Sequence, residues 1–295
     1  AGPVRWTVGD FDYGGGEVAR PGLVEDLESL VDGDVRFDSY SRQLYATDAS
    51  AYEVTPIGVV FPESTVDVTA VVEYCAERDI PVLPRGGGTS LAGQTVNEAV
   101  VLDFTAEMDG IGEIDPDAGT VSAESGAILA AINAACAPHG LKFAPDPAWR
   151  DKSALGGAIG NNSTGSHSLK YGKTDVYVES CEAVLADGTV TELGEERVGD
   201  LRERADPEGD AVERIAAGVV DALNDHADEV RKRYPELKRN VSGYNLDMLV
   251  DEATVDGTIS DDATVNLARL LAGSEGTLAI VTEATVSLEP VPETK

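Results

Sequence analysis

Two stretches of the chain carry residue types that hold anions. The first, Pro84-Arg-Gly-Gly-Gly-Thr-Ser-Leu-Ala-Gly93, sets three consecutive glycines before two hydroxyls. Glycine runs add no packing and cost backbone entropy, so they suit a strained turn or a backbone that must approach a ligand closely. Successive N–H groups in such a turn converge into an anion-binding concavity, with the Thr89 and Ser90 hydroxyls as further donors. Two familiar phosphate loops are excluded. Arg85 to Ser90 lacks the Gly-Lys-Ser/Thr ending of a P-loop, and its glycines miss the Gly-x-Gly-x-x-Gly order of a Rossmann turn. The second stretch, Leu155-Gly-Gly-Ala-Ile-Gly-Asn-Asn-Ser-Thr-Gly165, mixes glycines with amides and hydroxyls.

Charge points to the same two stretches. The 295 residues include 54 Asp and Glu against 22 Lys and Arg, a formal net charge of -32. Such a chain repels phosphate unless it is locally spared. From Ile80 to Asn97 the one ionisable residue is Arg85, and from Lys142 to Thr174 the bias reverses, with Lys142, Arg150, Lys152, Lys170 and Lys173 against Asp146 and Asp151. Two anion-friendly loops suggest one extended anionic ligand. A dinucleotide pyrophosphate fits, with a polyphosphate or sugar nucleotide as the alternatives.

The elements that must position these loops can be read from local patterns. Gly58 to Pro62 is a short apolar run, Ser64 can cap the helix carrying Val68, Val71, Val72 and Cys75, and Ile80 to Leu83 and Ala99 to Asp103 are further strands. This predicts a small α/β unit with the first glycine loop at a strand end. A hairpin over 111–114 and 120–123, a helix over 127–137 and strands over 176–186 and 189–193, turned at Asp187-Gly188, then bring in antiparallel pairing. Glu208 to Tyr234 reads as one helix, with acids early and Arg231-Lys-Arg233 late. The acidic segments 195–210 and 251–263 read as loops. Gly273 to Thr277 is a turn into a strand over 278–288.

Composition bounds the rest. The 42% hydrophobic content supports a substantial core in one large or two modest domains. No apolar run of about 18 residues could form a transmembrane segment, and no secretory pattern opens the chain, so a cytoplasmic location is expected. The dispersed acidity, with 7 lysines in all, reads as adaptation to a salty, halophilic cytoplasm rather than as a cationic partner's docking face. Nucleic-acid binding is disfavoured for want of Lys and Arg. Cys75, Cys136 and Cys181 lack metal-site spacing and read as buried free thiols. The opening on Ala1 and the linker-like Glu289-Pro-Val-Pro-Glu-Thr-Lys295 suggest a piece of a longer polypeptide.

Taken in order, Tyr45 to Ser50, Pro84 to Gly93, Pro145 to Gly172, Ser242-Gly-Tyr-Asn-Leu246 and Gly273 to Pro290 resemble the FAD-binding domain of the FAD-linked oxidase family, whose fold is shared with p-cresol methylhydroxylase and vanillyl-alcohol oxidase. Within it the chain looks like the flavoenzymes of D-lactate, D-2-hydroxyglutarate and glycolate. The resemblance implies an α+β, two-subdomain FAD-binding fold, with a small α/β unit, a larger mainly antiparallel sheet with helices, and the cap domain absent. Residues 1–55 would be an N-terminal extension, 56–105 the first subdomain, 106–290 the second with a helical insertion over about 195–263, and 291–295 a linker toward the cap.

Carried over by position, the resemblance implies that Arg85, Gly86, Gly87, Gly88, Thr89 and Ser90 wrap the pyrophosphate by backbone and hydroxyl donors. Pro145, Asp146, Gly156, Gly157, Asn162, Ser163 and Gly165 would line the ribityl and flavin side. Lys170, Tyr171 and Gly172 would follow near the cofactor, and Glu275, Gly276 and Ile280 would close around its adenosine or flavin edge. Two departures stand out: Asn162-Ser-Thr-Gly165 replaces the common Asn-Ala-Gly-Gly, and the glycine loop lacks the histidine of covalent relatives, so FAD is expected to be non-covalent. The implied reaction is oxidation of a small-molecule 2-hydroxy acid by hydride transfer to FAD, with electrons passing to an acceptor such as an iron-sulfur or quinone partner. The alternative is a non-catalytic FAD-binding subunit of a larger complex. No catalytic residue or metal ligand is assigned, since the cap usually supplies them. His139 and His226 lie at or within helices, and His167, in the flavin loop, reads as an exposed loop residue.

Overall fold

The computed structural model describes residues 20–292 except 167, 236, 238, 239 and 242. His167 and Ser242 therefore lie outside the described residues, as do residues 1–19 of the expected N-terminal extension and 293–295 of the expected linker.

The small sheet has four strands in the order Asp34–Arg36, Gly58–Phe61, Val100–Asp103, Val82–Arg85. The last three run parallel and the first is antiparallel to its neighbour. Its two central strands read as unbroken apolar runs because both faces are covered. Val60, Val100 and Leu102 meet one core, while Val59, Phe61 and Val101 meet a smaller one on the other side. Helix Thr65–Ala76 connects Gly58–Phe61 to Val82–Arg85 and buries Val68, Val71, Val72 and Cys75. Its N-cap is Ser64, whose Oγ accepts from the Asp67 amide at 3.4 Å. The buried Asp67 carboxylate in turn accepts from the amides of Asp32, Gly33 and Glu63 at 2.9–3.1 Å, tying the segment before the sheet to the helix.

The large sheet is wholly antiparallel, in the order Ile111–Asp115, Thr120–Glu124, Ile280–Ser287, Val178–Val184, Val190–Leu193. Along the central strand Thr282, Ala284 and Val286 are buried, alternating with partly or fully exposed residues, as the two-residue period of a strand requires. The buried face packs on helix Leu129–Cys136, on the short helix Leu155–Gly160 and on the helical segments that follow. The two subdomains share a core where Ile280 and Val184 join the cluster under the small sheet.

Three segments differ from the sequence reading. The long helix is two, Ala211–Asp225 and Ala227–Arg233, broken at His226, where φ is -120°. Asn224 and Asp225, whose side chains compete for backbone hydrogen bonds, precede the break. The acid-early, base-late pattern belongs to the second helix alone, with Asp228 and Glu229 in its first turn and Arg231, Lys232 and Arg233 in its last. The expected loop 195–210 begins with strand Glu195–Arg197, paired to Thr264–Asn266, and continues as helix Val198–Arg204. Within 251–263, Thr254–Val255 and Thr258–Ile259 form a hairpin turned at Asp256-Gly257, both with positive φ, a two-residue signal concealed by the acidic surroundings.

Candidate functional site

The first glycine loop leaves the carboxyl end of Val82–Arg85, the usual place for a ligand in a parallel sheet. Two further segments converge on it, 153–164 with the short helix Leu155–Gly160, and the turn around Ser274–Gly276. Together they enclose an open cavity of about 610 Å³. Its polar wall is the backbone of Gly86 to Ser90, and its apolar wall includes Phe104, Ala158, Leu271, Ala279 and Val281. Trp149, 54% exposed, and Leu91, 79% exposed, also line it. The only ionisable groups in the lining, among the described residues, are Arg85 and Glu275. In a chain with a formal net charge of -32, a single carboxylate in so large a cavity leaves room for an anion.

Each glycine has its own reason. At Gly87 a Cβ would stand 1.7 Å from the Lys152 carbonyl oxygen, and at Gly86 it would meet the Ala154 Cβ at 3.0 Å. Gly88 has φ +61°, where an L side chain is strained. The triple glycine thus lets the two loops pack backbone to backbone. At Gly157, by contrast, a Cβ would meet nothing within 4 Å and would occupy the cavity side of the loop.

The loop's backbone is held from behind. The Arg85 guanidinium donates to the carbonyls of Tyr45 and Thr95 at 3.2 and 3.0 Å and of Thr47 at 2.8 Å, and lies over the Tyr45 ring at 5.0 Å. It braces the loop and is committed to these carbonyls. Tyr45 donates to Asp103 at 2.5 Å, and burial together with that carboxylate pushes its phenol pKa far up. The Ala49 amide donates to the Gly88 carbonyl at 3.1 Å, so the Tyr45 to Ser50 motif serves as a buttress. Among the described residues no acceptor meets the amides of Gly86, Gly87, Gly88, Thr89 or Ser90. Five successive free donors beside this cavity are suited to the oxygens of a pyrophosphate.

The cavity brings together Arg85 to Ser90, Gly156, Gly157, Ser163, Glu275 and Gly276 from the sequence-predicted set. The others lie outside its lining. Asn162 is buried with φ +46°, exchanging hydrogen bonds of 2.8 and 3.0 Å with the buried Asp175, which is paired to Lys173 at 2.7 Å. Pro145 is buried, and the Asp146 carbonyl would clash at 1.8 Å with a Cβ on Gly165, so these three shape the turn behind the loop. Lys170 donates to the Tyr171 hydroxyl at 3.0 Å beside Lys142. That bond and the two lysines lower the Tyr171 pKa. Ile280 points into the core shared by the subdomains. Sequence reasoning missed Gln94, Asn161, Ser153 and Trp149, all in the lining. Gln94 lies within the carboxylate-free window from Ile80 to Asn97 and Asn161 opens the amide pair, the one signal either residue carried.

Residues 56–194 match the family described as FAD binding domain. The chain is 31% identical over 293 residues to D-2-hydroxyglutarate dehydrogenase of Pantoea ananatis (strain AJ13355), covering 93% of this chain and 27% of the relative. It is 31% identical over 269 residues to glycolate oxidase subunit GlcD of Bacillus subtilis (strain 168), covering 90% of this chain and 44% of the relative. Among solved structures, alkyldihydroxyacetonephosphate synthase matches at TM-score 0.63 and 19% identity, over 94% of this chain and 46% of that one, which shows a shared fold. The chain spans less than half the length of each of these proteins. Residues 56–194, which supply the free amides and the second glycine loop, are thus the part of the chain that is similar to an FAD binding domain.

Proposed function

We propose that this chain is the FAD-holding part of a flavin-dependent oxidoreductase that oxidises a 2-hydroxy acid of the D-lactate, glycolate or 2-hydroxyglutarate type. The observation that carries it is the run of five free amides, within the residues that match an FAD binding domain, beside an apolar-walled cavity. The residues fit the cofactor: the amides of Gly86 to Ser90 would hold the pyrophosphate, and Phe104, Ala158, Leu271, Ala279 and Val281 would face a planar ring. FAD, when bound, supplies an acceptor for the substrate's hydride. Attachment is non-covalent in this reading, supported by a described lining without histidine, cysteine or tyrosine. The D-2-hydroxyglutarate and glycolate types rest on the relatives named above, and the D-lactate type on the resemblance read from the sequence.

The chain's own residues give the cavity an apolar wall and keep carboxylates other than Glu275 out of the described lining. His139 and His226 lie elsewhere, exposed at helix ends, so the described cavity offers no histidine base. A second reading, an FAD-holding subunit that acts only in a larger complex and passes electrons to an iron-sulfur or quinone partner, is favoured by the word subunit in the name of GlcD. The two are separated by offering D-lactate, glycolate and D-2-hydroxyglutarate anaerobically to the FAD-loaded chain. Bleaching of the flavin by one of them supports the enzyme, bound FAD that none of them reduces supports the subunit, and failure to bind FAD overturns both.

A further inference from the structure

The cavity has three walls from distant parts of the chain, and one side chain touches all three. Gln94 belongs to the first glycine loop. Its Oε1 accepts from the Ser90 hydroxyl on that loop, and its Nε2 donates to Asn161 Oδ1 at 3.3 Å on the second loop and to Glu275 Oε1 at 3.0 Å on the third. A primary amide has two N–H donors and an acceptor oxygen. Here both donors are used, each on a different loop, while the oxygen stays on its own. No other polar group of that size could do the same: a glutamate has no donor, and a lysine has no acceptor.

The bond to Glu275 has an added consequence. Glu275 is the one carboxylate in the described lining, is exposed, and sits at φ +55°, a backbone conformation that L side chains rarely adopt. Gln94 and Asn161 are the residues that bring donors or acceptors together there, and the adjoining Glu275 amide donates to the Gly160 carbonyl at 2.9 Å. We infer that Gln94 is a positioning residue, a latch that fastens the three loops around the cavity and holds Glu275 turned toward the amide rather than free to face an anion. It touches no reacting atom. Its effect is on how much of the unliganded protein already has the ligand-ready arrangement, since apparent affinity scales with that fraction.

The test has one arm that needs no ligand and one that rests on the FAD reading. In the first, amide hydrogen exchange is compared between the unliganded protein and its Gln94→Ala variant at Ala49 and Glu275, whose amides donate to Gly88 and Gly160 on separate segments and so report on loop closure. Loss of these bonds should speed exchange at both by about tenfold, with the amides of helix Thr65–Ala76 unchanged. Unchanged exchange, or a change at Ala49 alone, overturns the latch whatever FAD does. In the second, FAD should dissociate about tenfold faster from Gln94→Ala, with a smaller change in association. Gln94→Glu should be worse, because it sets two carboxylates together. The double variant Gln94→Glu, Glu275→Gln restores an amide facing a carboxylate with the polarity reversed, and should recover most of the loss. A double variant no better than Gln94→Glu alone overturns the pairing. If the wild-type protein takes up no FAD while the exchange arm holds, the cofactor reading fails and the latch stands.

Discussion

Gly157 and Gly87 lie on facing loops yet should respond in opposite ways to an added side chain. At Gly157 the new atoms enter open cavity, so Gly157→Val should leave folding stability within about 1 kcal/mol of wild type, helped by the poor helix propensity of glycine. In the loaded protein the same three carbons would push the ligand off neighbouring donors. Two charge-assisted hydrogen bonds at about 1.5 kcal/mol each give about 3 kcal/mol, or roughly two decades in Kd. At Gly87 even alanine would place Cβ 1.7 Å from a backbone oxygen, so Gly87→Ala should lose well over 2 kcal/mol of stability. The assay pairs thermal melts of the unliganded proteins with FAD titration followed by flavin fluorescence. A Gly157→Val protein that melts like wild type and binds FAD as tightly would refute the assignment of that face to the ligand. A Gly87→Ala protein of normal stability would refute the packing account of the triple glycine.

Arg85→Lys should loosen the loop, because an ammonium cannot serve three carbonyls as the guanidinium fork does; a drop in melting temperature with weaker FAD binding is expected, and an unchanged melt would count against the brace. Cys75 and Cys181 are fully buried, and burial pushes their thiol pKa values up to about 11 and about 12. The folded state therefore keeps protons that the unfolded state releases above the ordinary thiol pKa of about 9, and stability should decline with pH from there to about 12. Replacing both with alanine should flatten that alkaline limb in denaturant titrations, and thiol reagent at pH 8 should find no reactive Cys75 or Cys181 until the protein unfolds. On the exposed face of the large sheet, burial and then Glu182, Glu124 and Glu192 raise the pKa of Glu283. Glu283→Gln should stabilise the protein by about 0.5 kcal/mol at low salt and by less at high salt, and a gain that survives high salt would exclude repulsion as its cause.

The small sheet was readable because each strand is a short apolar run buried on both faces and each boundary has a local cause, such as the Ser64 cap. The large sheet announced itself through the Asp115 to Gly119 and Asp187-Gly188 turns. The helical insertion was harder to read. Its period survives the break at His226, since both helices lay their apolar residues on the same core, so hydrophobic spacing alone could not reveal two helices. For the site, glycine content and local charge located both loops but could not separate glycines that face a neighbouring backbone from the one that faces the cavity. That distinction depends on which atoms lie across from each Cα. Arg85 shows the same limit: the lone cation in a glycine loop suggests a phosphate contact, whereas three carbonyls from Tyr45, Thr47 and Thr95 claim it. Gln94 was invisible for the same reason, since its partners are 67 and 181 residues away.

The central claim, that five free amides and the apolar wall hold FAD without a covalent bond, is tested most directly by loading the purified chain with FAD in concentrated salt, removing excess, and measuring bound flavin before and after denaturation. One FAD per chain, all of it released on unfolding, is the predicted result. A well-folded protein that retains no flavin, or one whose flavin stays attached after unfolding, would contradict it.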